Sequence, residues 1–381
     1  DIFLLGNSSW RIRRVEAGAV RVEDAHGAPP TIPFWLGEAP GRSLELSREV
    51  SRLRKDIEPL LADPAAAVTW LMEESNVPEA GAAQAVTYLA SGVATLGSLP
   101  TQENLIAERF FDEGGGMQLV LHAPFGQKLN RAFGLALRKR FCAGFDFELQ
   151  AAATDDGILL SLGPQHSFPL ESVWDFLSPA TVTEVLQQAV LDSPLWGVRW
   201  RWNATRSLAL LRQMGGERVP PPIQRMRSDD LLSACFHDLA ACQENVQRPI
   251  PIPDHPLVFE TMRDVTHDAM DLPGLIRLLE RIKNREVTLL AKDTPTPSPL
   301  SHEILNSMPY TYLDDAPLEE RRARAVATRR TLSDEDLKAF GALDEQVIAG
   351  VVEQAWPDVR DADEMHDVLL TLGTLPGTEV R

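Results

Sequence analysis

The sequence predicts an α+β fold: a small, partial β-barrel module followed by tandem winged-helix-like and mainly helical parts. Three observations carry that expectation. Residues 2–36 hold four short β-rich runs at tight spacing, the hydrophobic period turns helical at Ser43, and past Ser167 nearly every segment reads as helix. Closely spaced strands suit a small barrel or meander. Helices broken by occasional short strands are the sequence form of winged-helix units. With 44% hydrophobic and 24% charged residues the chain can bury a core. Its 381 residues predict two or three domains.

In order, the strand runs are 2–5, 10–15, 19–23 and 31–36, separated by Gly6-Asn7, Ala17-Gly18 and Gly27-Ala28-Pro29-Pro30. Ser43 caps a helix carrying Leu44, Val50, Leu53 and Ile57, which stops near Pro59. Asp63-Pro64 caps the next helix, to about Ser75, and a third runs over 78–96. Runs 105–112 and 117–123 flank Glu113 and three glycines, a hairpin signal. Residues 126–143 are helical, and 147–153 with 158–162 flank Thr154-Asp155-Asp156-Gly157, a second hairpin. Helices follow at 171–177, 179–191, 195–214, 228–242, 255–270 and 273–284, then a short strand at 287–291. Pro295, Pro297 and Pro299 mark a linker near 293–300. The expected division is 1–42 for the partial barrel, 43–167 for an α+β region with two hairpins and a basic helix, 168–300 for the winged-helix-like region, and 301–381 for a linker and the start of an acidic extension. From Thr328 on, 12 acids face five bases.

The chain carries 37 Lys+Arg against 55 Asp+Glu, a net charge of -18. That excludes a generally basic, sticky protein but leaves room for a local basic strip. All but six of the cations are arginine. A guanidinium fork suits phosphates and base planes better than an ammonium does, although a GC-rich genome also favours Arg. Three cysteines are too few and too odd in number for a disulfide scaffold, so a reducing cytoplasm is the expected compartment. The uncharged stretch 80–102 contains Gln84, Ser91, Pro100 and Gln102, and reads as a soluble helix with its exit loop rather than a membrane span. The start, Asp1-Ile2-Phe3, lacks a signal-peptide pattern and an initiator Met, which points to a fragment of something longer.

No G-x-x-x-x-G-K-[ST] phosphate loop occurs. Asp363-Glu364-Met365-His366 spells D-E-x-H, but Walker-B acids end buried apolar strands, and the residues before this one are polar. Cys235, His237 and Cys242 lack the two close pairs of a zinc site, and Asp264, His267 and Asp271 read as a solvated or capping cluster. The stronger signal is two basic helices. In 126–143, Leu129, Phe133, Leu137 and Phe141 form a core stripe, with Lys128, Arg131 and Arg138 on another face. The helix start after Ala123-Pro124-Phe125-Gly126 predicts outward N–H groups, a phosphate seat. In 195–214, Trp196, Trp200, Ala204, Leu208 and Leu211 form the apolar stripe, with Arg199, Arg201, Arg206 and Arg212 off it. Residues 195–227 hold seven arginines and one acid, a local excess of six positive charges that either faces a polyanion or pairs with the acidic remainder of the chain. Trp35, bounded by Pro33, Gly37, Pro40 and Gly41, reads as an exposed strand end able to stack on a base, or as core packing.

The segments 3–15, 22–30 and 33–42 resemble the large helicase-related (Lhr) proteins, bacterial superfamily 2 DNA helicases. So do 108–112, 122–126, 130–140, 148–153, 252–256, 301–305 and 313–322. The resemblance implies a region C-terminal to two motor domains and a first winged helix, with ATP and Mg bound in those motors and no cofactor in this chain. It also implies a DNA-binding and coupling role in an ATP-dependent 3′-to-5′ helicase. The partners would be the tracking single-stranded DNA or an RNA–DNA hybrid, and the motors in cis, with a nucleoid-associated location. It implies a Trp that stacks on a base, matched best by Trp35. The DNA-contacting set expected here is Trp35, Lys128, Arg131, Arg138, Arg199, Arg201 and Arg206. The architecture also resembles barrel-plus-winged-helix DNA glycosylases, which leaves a base-excision module as the alternative. For that chemistry Asp146, Glu148 and Gln150 alternate along one strand, the other reading being a solvent-facing edge.

Overall fold

A computed structural model describes residues 2–5, 8–16, 19–25, 41–111, 116–145, 149–162, 168–240, 249–305, 313, 359 and 362–372. The chain divides into two units, Asp1–Leu332 and Ser333–Arg381. In the second, the described helix Ala362–Leu372 carries the D-E-x-H string on exposed first turns, not at the end of a buried strand.

The first unit opens with strands β1 (Ile2–Leu5), β2 (Ser8–Glu16) and β3 (Ala19–Asp24), paired as an antiparallel sheet in the order β1-β2-β3. The described strands form an open sheet. The fourth expected strand, 31–36, and Trp35 with it lie outside the described residues.

Helix α1 (Leu44–Ile57) starts where expected: the Ser43 side chain accepts a hydrogen bond from the Leu46 N–H at 3.2 Å. Pro59 sits in the 3₁₀ turn Glu58–Ala62 that follows. Asp63 caps α2 (Pro64–Ser75), and α3 (Glu79–Leu96) ends at Gly97, whose φ of +89° closes the helix. The uncharged stretch is thus α3 and its exit. It packs with α1 and α2 around Ile57, Leu71, Val86 and Leu89. Among the described residues no helix is long and apolar enough to cross a membrane.

The centre is a five-stranded sheet in the order β10-β4-β5-β7-β6. Its antiparallel part comprises β4 (Asn104–Phe111), β5 (Met117–His122), β7 (Gly157–Leu162) and β6 (Gln150–Ala153), so both hairpin signals form. The late strand, β10 (Thr288–Asp293), returns to pair in parallel with β4. Alternation along each strand separates two faces. Leu119, Leu121, Leu160 and Ala151 meet α4 (Gln127–Phe145), whose Leu129, Phe133, Leu137 and Phe141 are all buried in the main core. Gly134 lets this helix close on the sheet, since a Cβ there would lie 3.0 Å from Ile158. Phe110, Val120, Ala152 and Leu159 on the other face pack under α11 (Ser301–Leu305).

The linker expected at 293–300 is instead part of the core. Thr294, Pro297, Ser298, Pro299 and Leu300 are buried. A Cβ at Gly92 would lie 2.8 Å from the Leu300 side chain, so α3 carries a notch for it. The physical reason for the correction is a buried carboxylate, Glu108, that binds this segment by hydrogen bonds.

The remaining elements are the 3₁₀ turn Leu170–Asp175, α5 (Val182–Leu191), α6 (Pro194–Arg206), β8 (Gln213–Met214), β9 (Glu217–Arg218), α7 (Pro221–Cys235), α8 (His237–Ala240), α9 (Pro256–Arg263) and α10 (Leu272–Lys283). A π-helical stretch, Asp264–Ala269, joins α9 to α10. The helix expected over 195–214 stops at Arg206. Leu208 turns left-handed at φ 62°, and Gly215-Gly216, at φ +62° and +85°, make a two-residue hairpin turn between β8 and β9. Leu208 and Leu211, expected on the apolar stripe, are therefore exposed.

Candidate nucleic-acid interface

The start of α4 does not offer the phosphate seat expected of it. The Asp155 carboxylate accepts hydrogen bonds from the Gln127 N–H at 2.8 Å and the Arg42 N–H at 3.0 Å, while the Gly126 N–H donates to the Asp155 carbonyl. Asn130 donates to the carbonyls of Ala123 and Thr154. The turn between β6 and β7 thus fills the helix end, and residues 121–127 are buried. Next to it Asp156 receives Arg42 and Arg54 at 3.1 and 2.8 Å. Burial pushes its carboxyl up, but the Arg54 charge and the Arg42 bonds outweigh that and lower it overall. Glu303, near the same carboxylates, is raised by its own burial and by Asp156.

Lys128 is exposed, and its carbonyl accepts the Asp271 N–H. Arg131 and Arg138 are half-buried, and the Arg138 Nε donates to the Leu149 carbonyl at 3.1 Å, tying α4 to the approach of β6. On α6, Trp196, Trp200 and Ala204 are buried as expected. Arg199 is a correction: it is buried rather than turned to solvent. Its guanidinium donates to Asp264 at 3.1 Å and Asp268 at 3.0 Å, and lies 4.8 Å from the centre of the Trp202 ring. Asp264, with three donors in Arg199, Asn203 and Arg206, is a buried acceptor and not a solvated acid. Asp271 is a cap, accepting from the Gly274 N–H. Arg201 is half-buried and Arg206 exposed. The expected residues therefore fall into two groups: Lys128, Arg131 and Arg138 on α4, and Arg201 and Arg206 on α6.

Sequence reasoning passed over Trp202, which is exposed. The available signal was its place off the i, i+4 stripe of Trp196 and Trp200. Gln150 is buried opposite Ser161 and is not a solvent-facing edge residue. Asp146 and Glu148 lie outside the described residues. Among the described residues no group of three or more His, Cys, Asp or Glu side chains could hold a metal ion.

Residues 99–301, from the entry of β4 to α11, match the family described as DEAD/H associated. This chain belongs to the DEAD/H-associated family. Its relatives are Lhr helicases. The DEAD/H-associated chain is 32% identical to the Lhr helicase/uracil glycosylase of Escherichia coli, over 98% of its own length and 24% of that protein's. It is 29% identical to the Lhr helicase/probable uracil glycosylase of Mycolicibacterium smegmatis, over 100% of this chain and 25% of that one. It spans about a quarter of these relatives' length. The solved structure of Mycobacterium smegmatis helicase Lhr bound to ssDNA and AMP-PNP is similar over 74% of this chain and 34% of that one, at 26% identity and a TM-score of 0.59.

Proposed function

We propose that this chain is the DNA-binding and coupling region of an ATP-dependent 3′-to-5′ helicase, contacting the tracking single strand. One observation carries the reading: the chain is similar, over about three quarters of its length, to a helicase solved with single-stranded DNA. The cations of α4 and α6 add the required chemistry, because Lys128 and Arg206 stand exposed to meet phosphates. Arg131, Arg138 and Arg201 complete the proposed strip, and Arg199 is left out of it as a packing residue. Motor domains elsewhere in the same protein supply ATP and Mg, which fits the absence of a phosphate loop from this sequence. In this reading β1–β3 begin a small barrel, α6 with β8, β9 and α7 forms a winged-helix-like unit, and the protein acts in the cytoplasm at the nucleoid. An RNA–DNA hybrid is the second duplex to try. The base-excision alternative draws on the names of two relatives and on Gln150, whose side chain is buried. The strand-binding reading is preferred because Lys128 and Arg206, on which it draws, are exposed.

Trp35 tests the reading. Base–aromatic stacking contributes about 1–3 kcal/mol per base. Trp35→Ala is therefore expected to weaken binding of unrelated single strands roughly 5- to 150-fold, at about 1.4 kcal/mol per tenfold, with little change in melting temperature. Loss of about 3–5 kcal/mol of stability instead would make Trp35 a core residue.

A further inference from the structure

Three tryptophans lie on α6, and they differ sharply in burial. Trp196 and Trp200 are 2% and 1% exposed, whereas Trp202 is 44% exposed. The Arg199 guanidinium sits over the Trp202 ring at 4.8 Å, and Arg199 is in turn fixed by Asp264 and Asp268. The ring is thus oriented before any ligand arrives, which lowers the ordering cost of binding. Arg206, one turn further on at i+4, lies on the same side of the helix and is exposed.

The charges around it set the class of ligand. Asp264 is engaged by Arg199, Asn203 and Arg206, Asp268 by Arg199, and Glu260 by Arg263. These acids are matched by their own arginines. The excess comes from Arg201 on α6 and from Arg212 and Arg218 around the β8–β9 hairpin, where Glu217 is the one acid, whereas Arg225 and Arg227 on α7 are balanced in number by Asp229 and Asp230. A flat, pre-oriented aromatic inside an arginine-rich segment is complementary to a strand that offers unpaired bases and phosphates together.

We propose that Trp202 is a stacking platform for an unpaired base of a nucleic-acid strand, with Arg201, Arg212 and Arg218 facing the adjoining phosphates. This rests on the strand-binding reading above and adds a second aromatic contact, on the helical side of the chain.

The test is the affinity of the full chain for an oligo-dT strand and for an abasic strand of the same length, by fluorescence anisotropy. The variants are Trp202→Leu, which keeps apolar cover over Arg199, and Trp202→Tyr, which keeps a ring. Trp202→Leu is expected to bind oligo-dT roughly 5- to 150-fold more weakly and the abasic strand as wild type does. Trp202→Tyr should stay close to wild type on both. If wild type and Trp202→Leu bind oligo-dT equally, the platform assignment fails while strand binding stands. An equal loss on both strands overturns it too, since the residue would then be acting through the fold or a protein-facing surface. Wild-type chain that binds neither strand overturns the strand-binding reading itself.

Discussion

Glu108→Ala is expected to cost about 3–5 kcal/mol of stability, the penalty for removing one member of a buried, hydrogen-bonded charge network. Glu108 is fully buried on β4. One carboxylate oxygen accepts from the Thr294 hydroxyl at 3.0 Å and the Ser298 N–H at 2.6 Å. The other accepts from the Ser298 hydroxyl at 2.7 Å, from His122 at 2.8 Å and from the Ser301 hydroxyl. Truncation leaves all of these donors without their acceptor and weakens the hold of the sheet on residues 294–301. The same network gives the pH dependence its sign. Burial pushes the carboxyl up, but the bond and charge of His122, with Ser301 and Ser298, outweigh it and hold the group at about 2, against 4.5 ordinarily. The unfolded chain therefore takes up this proton at higher pH than the folded one. The contribution, about 3 kcal/mol at 1.36 kcal/mol per pKa unit, is fully present above about pH 4.5 and is lost as pH falls toward about 2. Denaturant titrations from neutral to acid pH should show this loss in wild type and not in Glu108→Ala. Equal stability of the two proteins at neutral pH would contradict the account.

Arg199→Ala is expected to cost a similar amount, about 3–5 kcal/mol, because it leaves the buried Asp264 carboxylate short of its innermost cation. Asp268 contributes little to this figure, since it is exposed. Thermal melting should therefore fall sharply, while the salt dependence of strand binding by the folded fraction stays as in wild type. Arg199→Lys should recover only part, since an ammonium cannot reproduce the planar guanidinium against Trp202. A variant that melts normally and binds DNA with a flatter salt slope would return Arg199 to the interface.

These two residues also mark where sequence reasoning reaches its limit. The helices α1, α2 and α3 were legible because their signals are local: the caps at Ser43 and Asp63, the stop near Pro59, and the αL residue Gly97. The hairpins were legible from turn chemistry, and the α4 core stripe from its period. Glu108 was not, because a lone carboxylate in a strand reads as solvent-facing until its partners, Ser298 and Ser301, are brought from the far end of the unit. The same distant pairing made a proline-rich segment look like a linker. Asp155 and Asp156 spelled only a turn, yet that turn caps α4 and binds two arginines. On α6, helical spacing continues past Arg206 through Leu208 and Leu211, so the periodicity overran the true end. Gly215-Gly216 was the unused warning. Arg199 and Arg206 share a segment, a charge and a partner in Asp264, and only their burial separates the packing residue from the exposed one.

The most direct test of the strand-binding account is the salt dependence of single-stranded DNA affinity, measured on the chain and on a variant with Lys128, Arg131, Arg201 and Arg206 replaced by Ala. The account predicts that log K of the unaltered chain falls linearly with log salt despite its net charge of -18, each phosphate contact contributing about 0.7 to the slope. The variant should bind more weakly and show a slope smaller by up to about 0.7 per cation removed, read on the folded fraction because Arg206 also donates to the buried Asp264. An unchanged slope and affinity in the variant, or no salt-dependent binding by the parent, would contradict it.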